Sequence, residues 1–232
     1  MIVPLTSEVT WVGFLSHLPR WRPCGSPILI VAPHPDDETL GAGGLIAAQC
    51  ALGADVSVIA VSDGEHAYPE SANGAELGVL RCAEQTAALK RLGVPAAKII
   101  RLGLPDSDVA GHLPELIARL TPFVSERTHI IAPWRGDFHP DHEACGVAAE
   151  KVARKTGATL TSYFFWSWHR GTPEILDGLS LRSFPLRAGW LQAKAEALLC
   201  HRSQLFRDQG EPILPPSLLA PAERPFEIFL VQ

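Results

Sequence analysis

An apolar run that ends abruptly in charge constrains this chain more than any other stretch. Residues 28–32 (Ile-Leu-Ile-Val-Ala) are rich in β-branched side chains, bounded by proline, and read as a buried strand. His34, Asp36, Asp37 and Glu38 follow within five positions, and residues 39–44 lead into a helix-forming segment at 45–52. Strand, polar turn and helix together put functional groups at the carboxyl end of a parallel strand. The pattern recurs at residues 128–133, where a second apolar run closes on Ala132-Pro133 as the first closes on Ala32-Pro33. It opens onto Trp134, Arg135, Asp137, His139, Asp141 and His142, with a helix expected over 143–155.

Between and after these landmarks, strand and helix alternate as successive βαβ units do. Strands are expected at 54–62, 98–102 and 159–168, and helices at 75–93 and 113–127. The helix at 75–93 carries Leu77, Leu80, Ala83, Ala87 and Leu92 on what reads as its apolar face. The last third departs from the alternation. A strand at 179–186 precedes a helix at 189–206 with Trp190, Ala193, Ala197, Leu198 and His201 in register. A proline-rich loop at 211–225 then leads to a closing strand at 226–231. The expected architecture is α/β: a Rossmann-like open, mostly parallel sheet with helices on both faces and extra C-terminal strands. Too few units are present for an eight-stranded barrel. A single domain over 1–232 is expected, with an N-terminal extension (1–27) bearing a short amphipathic helix near 7–18, a core (28–205) and a C-terminal loop and strand (206–232).

Composition narrows the function classes. A formal net charge of −5 and a pI near 6.0 argue against nucleic acid or an anionic membrane as partner. No apolar run approaches the roughly 18 residues that span a bilayer, and the N-terminus lacks a basic region like that of a signal peptide. The cysteines (Cys24, Cys50, Cys82, Cys145 and Cys200) form no paired-ligand spacing and read as small hydrophobes in a reducing compartment, so a cytoplasmic location is expected.

The two polar turns carry the chemistry. His34 and Asp37 lie three residues apart, as do His139 and His142. On adjacent parallel strands both turns open at one edge. Two imidazoles and one carboxylate suit a borderline metal such as zinc and suit ferrous iron as well, with a fourth position open. A catalytic ion lowers the pKa of water to about 7, so a nearby carboxylate can take its proton. Asp36 is placed for that task, and His139 for stabilising a developing oxyanion, with Asp141 or a neighbour orienting its ring. Acidic residues at a helix start are favoured without any function. The recurrence of the pattern after two strands is what favours a site.

Pro33-His-Pro-Asp-Asp-Glu38 and His139-Pro-Asp-His142 resemble the signature motifs of the zinc-dependent N-acetylglucosaminyl deacetylases, the PIG-L or LmbE-like family. Asp63-Gly-Glu65, Arg81-x-x-Glu84, Leu102-Gly-Leu-Pro-Asp106 and Lys194 through His201-x-Ser-Gln204 match in family order, so the resemblance spans about residues 28 to 205. It implies His34, Asp37 and His142 as metal ligands, Asp36 as general base, and His139 partnered by Asp141 as oxyanion stabiliser or acid. It also implies sugar contacts by Arg81 and Asp106; Arg135 and Asp137, just before the second motif, are further candidates for a polar substrate. The implied reaction is removal of an N-acetyl group from a small-molecule amino-sugar conjugate. A hydratase acting on an unsaturated acid and a non-catalytic sugar-binding relative are the alternatives, and a homo-oligomer is compatible with the sequence. Glu38 reads as a supporting carboxylate and His201 as a packed histidine; His66 and Tyr68 sit in a loop at the site's edge, and the tryptophans read mostly as core or rim, with Trp134 a candidate for the sugar site. The 27 residues before the first strand exceed what the family usually places there and read as a lid, interface or cap.

Overall fold

The computed structural model describes residues 3–23, 27–68, 73–207 and 210–231, so Cys24 lies outside the described residues. The run at 28–32 is strand β1 (Ile28–Ala32), buried at every position as a central parallel strand must be. Alternate residues serve opposite faces. Ile28, Ile30 and Ala32 pack with α2 (Asp37–Ala51), α3 (Gly74–Arg91) and α7 (Ala188–Leu198). Leu29 and Val31 pack with α4 (Leu113–Leu120) and α5 (Pro140–Thr156) on the other face.

Strands β2 (Val56–Ala60), β3 (Ile99–Arg101), β4 (His129–Pro133) and β5 (Thr159–Tyr163) join β1 in a parallel array. The last two strands, β6 (Leu181–Pro185) and β7 (Phe226–Val231), are antiparallel additions, giving the order β3-β2-β1-β4-β5-β7-β6. From β1 the chain builds outward through β2 and β3, then returns to lay β4 on the other side. The junction of β1 and β4 is therefore the topological switch point, where an open α/β sheet leaves a crevice at its carboxyl edge. Both polar turns flank that crevice.

Several expected elements have different bounds, each for a local reason. Helix α2 starts at Asp37, ahead of the expected segment, and takes in Gly41, Gly43 and Gly44. A Cβ at Gly41 would stand 2.2 Å from Tyr163 Cδ2, so the helix backbone rests directly on the ring. The Tyr163 hydroxyl donates to Val31 O at 3.0 Å. Glu227 accepts from the Gly44 and Leu45 N–H groups, and the buried Lys194 ammonium donates to Glu227 and to Leu40 O.

Helix α4 stops at Leu120, where Pro122 permits only a short 3₁₀ turn over Thr121–Phe123. The expected strand at 159–168 ends at Tyr163 and turns into α6 (Trp166–Arg170). The expected helix at 189–206 breaks after Leu198 and resumes as α8 (Arg202–Leu205), where Ser203 donates to Glu84 through both its N–H and its hydroxyl. The loop at 211–225 contains a short helix, α9 (Pro216–Leu219), and a 3₁₀ turn. The expected apolar stripe of α3 holds only in part: Leu92 is buried in the core and Leu77 half-buried, but Leu80 is 49% exposed and Ala83 and Ala87 are exposed, whereas Arg81, Glu84 and Gln85 are buried. The polar face turns inward because it supports the crevice.

The segment ahead of β1 holds helix α1 (Glu8–Leu15), anchored by buried Trp11 and Leu15. Its return passes along β6, where Trp21 N–H donates to Ser183 O and Ser183 N–H to Pro19 O. Among the described residues no helix is long and apolar enough to cross a membrane.

Candidate metal centre

Asp37 Oδ2 is the focal atom of the crevice. It accepts from the His34 N–H at 2.9 Å and lies 3.0 Å from His34 Nδ1 and 3.2 Å from His142 Nε2. Donor atoms of His34, Asp37 and His142 all fall within 4.8 Å of one another. The three imidazoles of His34, His139 and His142 gather with ring centroids 5.0 to 5.5 Å apart.

The protonation pattern tests whether this set suits a cation. His142 Nδ1 donates to Asp137 Oδ2 at 2.9 Å, which leaves the Nε2 of a neutral ring as a lone pair. That Nε2 is buried, faces the Asp37 carboxylate and makes no hydrogen bond. A lone pair against a carboxylate is unfavourable unless a positive charge lies between them. Burial by itself would lower the His142 pKa, but Asp37 and Asp137 overcome it and push the value up to about 9. Burial likewise disfavours charge on His34, and hydrogen bonds to Asp106, Asp141 and Asp37 reverse that. Burial would raise Asp37, yet the His142 and His34 imidazoles hold it well below the usual range. The pocket thus demands positive charge beside Asp37, and two imidazoles with one carboxylate are a donor set that zinc or ferrous iron accepts.

The remaining residues of the two turns have separate positions. Asp36 makes no capping bond to α2, so its carboxylate is not spent on the helix start. It adopts φ 150°, a region that L residues rarely enter, as Phe138 (φ 57°) and Ser107 (φ 67°) do beside His139 and Asp106. Its Oδ2 lies 3.6 Å from Arg81 Nη2. Burial, with the Asp37 charge beside it, raises the Asp36 pKa well above normal against the pull of Arg81 and His34. Glu38 is fully buried, accepts from Thr39 Oγ1 and Gln85 Nε2, and is pushed up to about 7 by burial.

His139 differs from its neighbours. Burial, then the facing His142 and His34, lower its pKa to about 4, so it is held neutral. Its Nδ1 accepts the Asp141 N–H at the start of α5, so its own proton sits on Nε2. The Asp141 carboxylate, expected to orient His139, instead bonds His34 Nε2 at 3.1 Å and accepts the Ser107 and Val109 N–H groups. The hydrogen bond from Asp141 to the His139 ring comes from its backbone N–H.

A cavity of 440 Å³ opens over these groups, lined by His34, Asp36, Asp37, Arg81, Asp106 and His139. Arg81 is fixed by bonds to Gly64 O and Gln204 Oε1, and Asp106 accepts the His66 N–H. The outer wall comes from His66, Tyr68, Phe165, Trp166, Arg170 and residues 211–215.

Two expected substrate contacts lie elsewhere. Arg135 is exposed and pairs with Glu150 at 3.1 Å. Asp137 is fully buried: it orients His142 and accepts the Phe165, Trp166 and Ser167 N–H groups, which explains why the expected strand turns into α6 there. Trp134, a candidate for the sugar site, packs against Phe164 instead. Trp166 lines the cavity in its place, and nothing in its own aromatic segment distinguishes it. His201 is packed and buried, as expected.

The PIG-L family profile, described as GlcNAc-PI de-N-acetylase, matches residues 29–153. A 1D-myo-inositol 2-acetamido-2-deoxy-alpha-D-glucopyranoside deacetylase of Rhodococcus erythropolis is 28% identical over 77% of this chain and 81% of its own length. The Mycolicibacterium paratuberculosis enzyme of the same description is 31% identical over 73% and 67%. Among solved structures, the N,N'-diacetylchitobiose deacetylase of Pyrococcus horikoshii superposes with a TM-score of 0.62 at 23% identity, over 79% of this chain and 72% of that one. A deacetylase of the teicoplanin biosynthesis pathway gives 0.61 at 20% identity, over 76% and 84%. At these identities the structural likenesses establish the fold alone.

Proposed function

The chain belongs to the PIG-L family of GlcNAc-PI de-N-acetylases, and from that premise we propose that it is a metal-dependent hydrolase removing the N-acetyl group of an N-acetylglucosamine-type conjugate. The observation that carries this reading is the metal-suited set His34, Asp37 and buried His142, of which His34 and Asp37 line a cavity that also holds Asp36 and a neutral His139. Zinc is the proposed ion, with ferrous iron chemically admissible. Bound there, it would supply Lewis acidity, polarising the amide carbonyl and lowering the pKa of water.

The protein's own groups do the rest. Asp36, with one oxygen beside Arg81, takes the proton of the attacking water, and its raised pKa suits both accepting that proton and passing it to the departing amine. His139, neutral and with its proton on Nε2, donates to the oxygen that gains charge as the carbonyl becomes tetrahedral. Arg81 and Asp106, fixed on the cavity wall, hold sugar hydroxyls. Asp137 keeps the His142 ring in the ligating tautomer, a role that replaces its expected contact with substrate. Asp141 does the same for His34, in addition to its backbone bond to His139.

In this reading the chain acts as one unit. Residues 28–205 carry the motifs, residues 211–215 close the cavity, and β7 completes the sheet.

The test is acetate release from a panel of N-acetylglucosamine conjugates by zinc-loaded protein. Asp36→Asn is expected to lower kcat by ~10²–10⁴-fold while metal content stays at the wild-type level. No acetate from any conjugate, with loss of ultraviolet absorbance from an unsaturated acid instead, would overturn the reading in favour of a hydratase.

A further inference from the structure

The segment ahead of β1 lies outside the matched family region, yet it is bonded to the element that forms one wall of the cavity. Helix α6 has only five residues and cannot satisfy the carbonyl groups at its end. Three of those groups are taken by the N-terminal segment. Leu5 N–H donates to His169 O at 2.8 Å, Thr6 Oγ1 to Gly171 O at 2.9 Å, and Trp11 Nε1 to Trp168 O at 2.9 Å. Trp11 is 1% exposed and meets the Trp168 ring edge-on at 5.1 Å. Glu8 grips Arg224 through both carboxylate oxygens, and that guanidinium lies over the same Trp168 ring.

The opposite side of α6 bears on the reacting groups. Trp166 stacks on the His139 ring at 5.6 Å with an interplanar angle of 19°. Arg170 lies over the Trp166 ring, 4.1 Å from its centroid, and donates to Phe138 O, the left-handed residue next to His139. Among the described residues the ring's only side-chain hydrogen bond is the long one from the Asp141 N–H, 3.3 Å; the His34 and His142 rings meet it edge-on and tilted, so Trp166 alone lies parallel to it. A ring with so few hydrogen bonds of its own takes its orientation from what stacks on it.

We propose that residues 5–11 are a positioning strap: they fix α6, and through Trp166 they set the angle at which His139 meets the substrate carbonyl. The strap touches neither substrate nor metal, so Thr6 and Trp11 are positioning residues. The catalytic part of this inference rests on the deacetylase reading above; the mechanical part does not.

Two variants test it with little disturbance, Thr6→Val, which keeps shape and loses the donor, and Trp11→Phe, which keeps an aromatic ring and loses the Nε1 bond. Each is expected to lower kcat for acetate release by about five- to tenfold, the cost of one buried hydrogen bond, with KM within about twofold. In a His139→Ala background the same substitutions are expected to cost less than about twofold, because coupled residues are not additive. Equal losses in both backgrounds, or none in either, overturn the proposal. Hydrogen exchange supplies a readout that does not need activity. Amides 166–171 are expected to exchange faster in both variants while β1 amides stay as in wild type; unchanged exchange at 166–171 overturns it. If the wild-type protein deacetylates nothing, the functional reading fails and exchange still decides the strap.

Discussion

Asp137 shows how much a single buried carboxylate can organise. It has no access to the cavity, yet it orients the His142 ring with one oxygen and starts α6 by accepting successive N–H groups. Asp137→Asn keeps the shape and removes the charge that favours the Nδ1–H tautomer of His142. Metal affinity, measured by chelator competition, is expected to fall ~10–100-fold, and an unchanged affinity would refute the role. The ligand-bearing turns are legible in the sequence because each is contiguous and follows a strand. The duties of Asp137 and Asp141 are not, since the groups they serve lie far along the chain: Phe165 to Ser167 for one, His34 and Ser107 for the other. Spacing also cannot separate Trp134 from Trp166, because only the end of β5 decides which indole reaches the cavity.

Among the elements, α2 and α3 show sequence pattern yielding to tertiary demand. In an exposed helix interior Gly→Ala gains about 1 kcal/mol. At Gly41 the added Cβ would collide with the Tyr163 ring, which is fully buried and tied to β1 through its hydroxyl. Overpacking outweighs propensity there, so Gly41→Ala is expected to lose ~1–3 kcal/mol, read as a lower urea midpoint at unchanged m. Helix α3 misleads for the opposite reason. Arg81 and Glu84 face inward to bind Gln204 and Ser203, and Gln85 to bind Glu38, so Leu80, Ala83 and Ala87 are left outside while Ala88, Leu89 and Leu92 reach the core. Where a helix buttresses a charged crevice the usual pattern is displaced locally, and hydrophobic periodicity misplaces that part of the buried face.

For the molecule as a whole, the strand order was within reach of sequence because parallel strands joined by helices follow few topologies. The antiparallel pairing of β7 between β5 and β6 leaves no such local trace. Acid sensitivity also belongs to this scale. His129 and His169 are buried, neither is among the candidate ligands, and burial lowers each pKa to about 4. Unfolding returns them to about 6.5, so the unfolded chain binds protons that the folded one refuses. Their contribution is whole above pH 6.5 and is lost as pH falls toward 4, at most about 3 kcal/mol for each residue. In chelator, the change in urea midpoint between pH 7.5 and 5 is expected to be less destabilising in His129→Gln than in wild type, whatever the opposing contribution of His34 and His142. An equal change in both proteins would refute this.

The return of the N-terminal segment along β6 has one more consequence. A sheet is open to growth wherever its outermost strand leaves backbone groups unpaired. At one border β3 offers only three residues, too short a template for another chain. At the other, Pro19 and Trp21 already occupy the partners that Ser183 would present. Residues 19–21 thus act as a hem on the sheet, and a chain trimmed back past them would carry an adhesive border through every folding and refolding cycle.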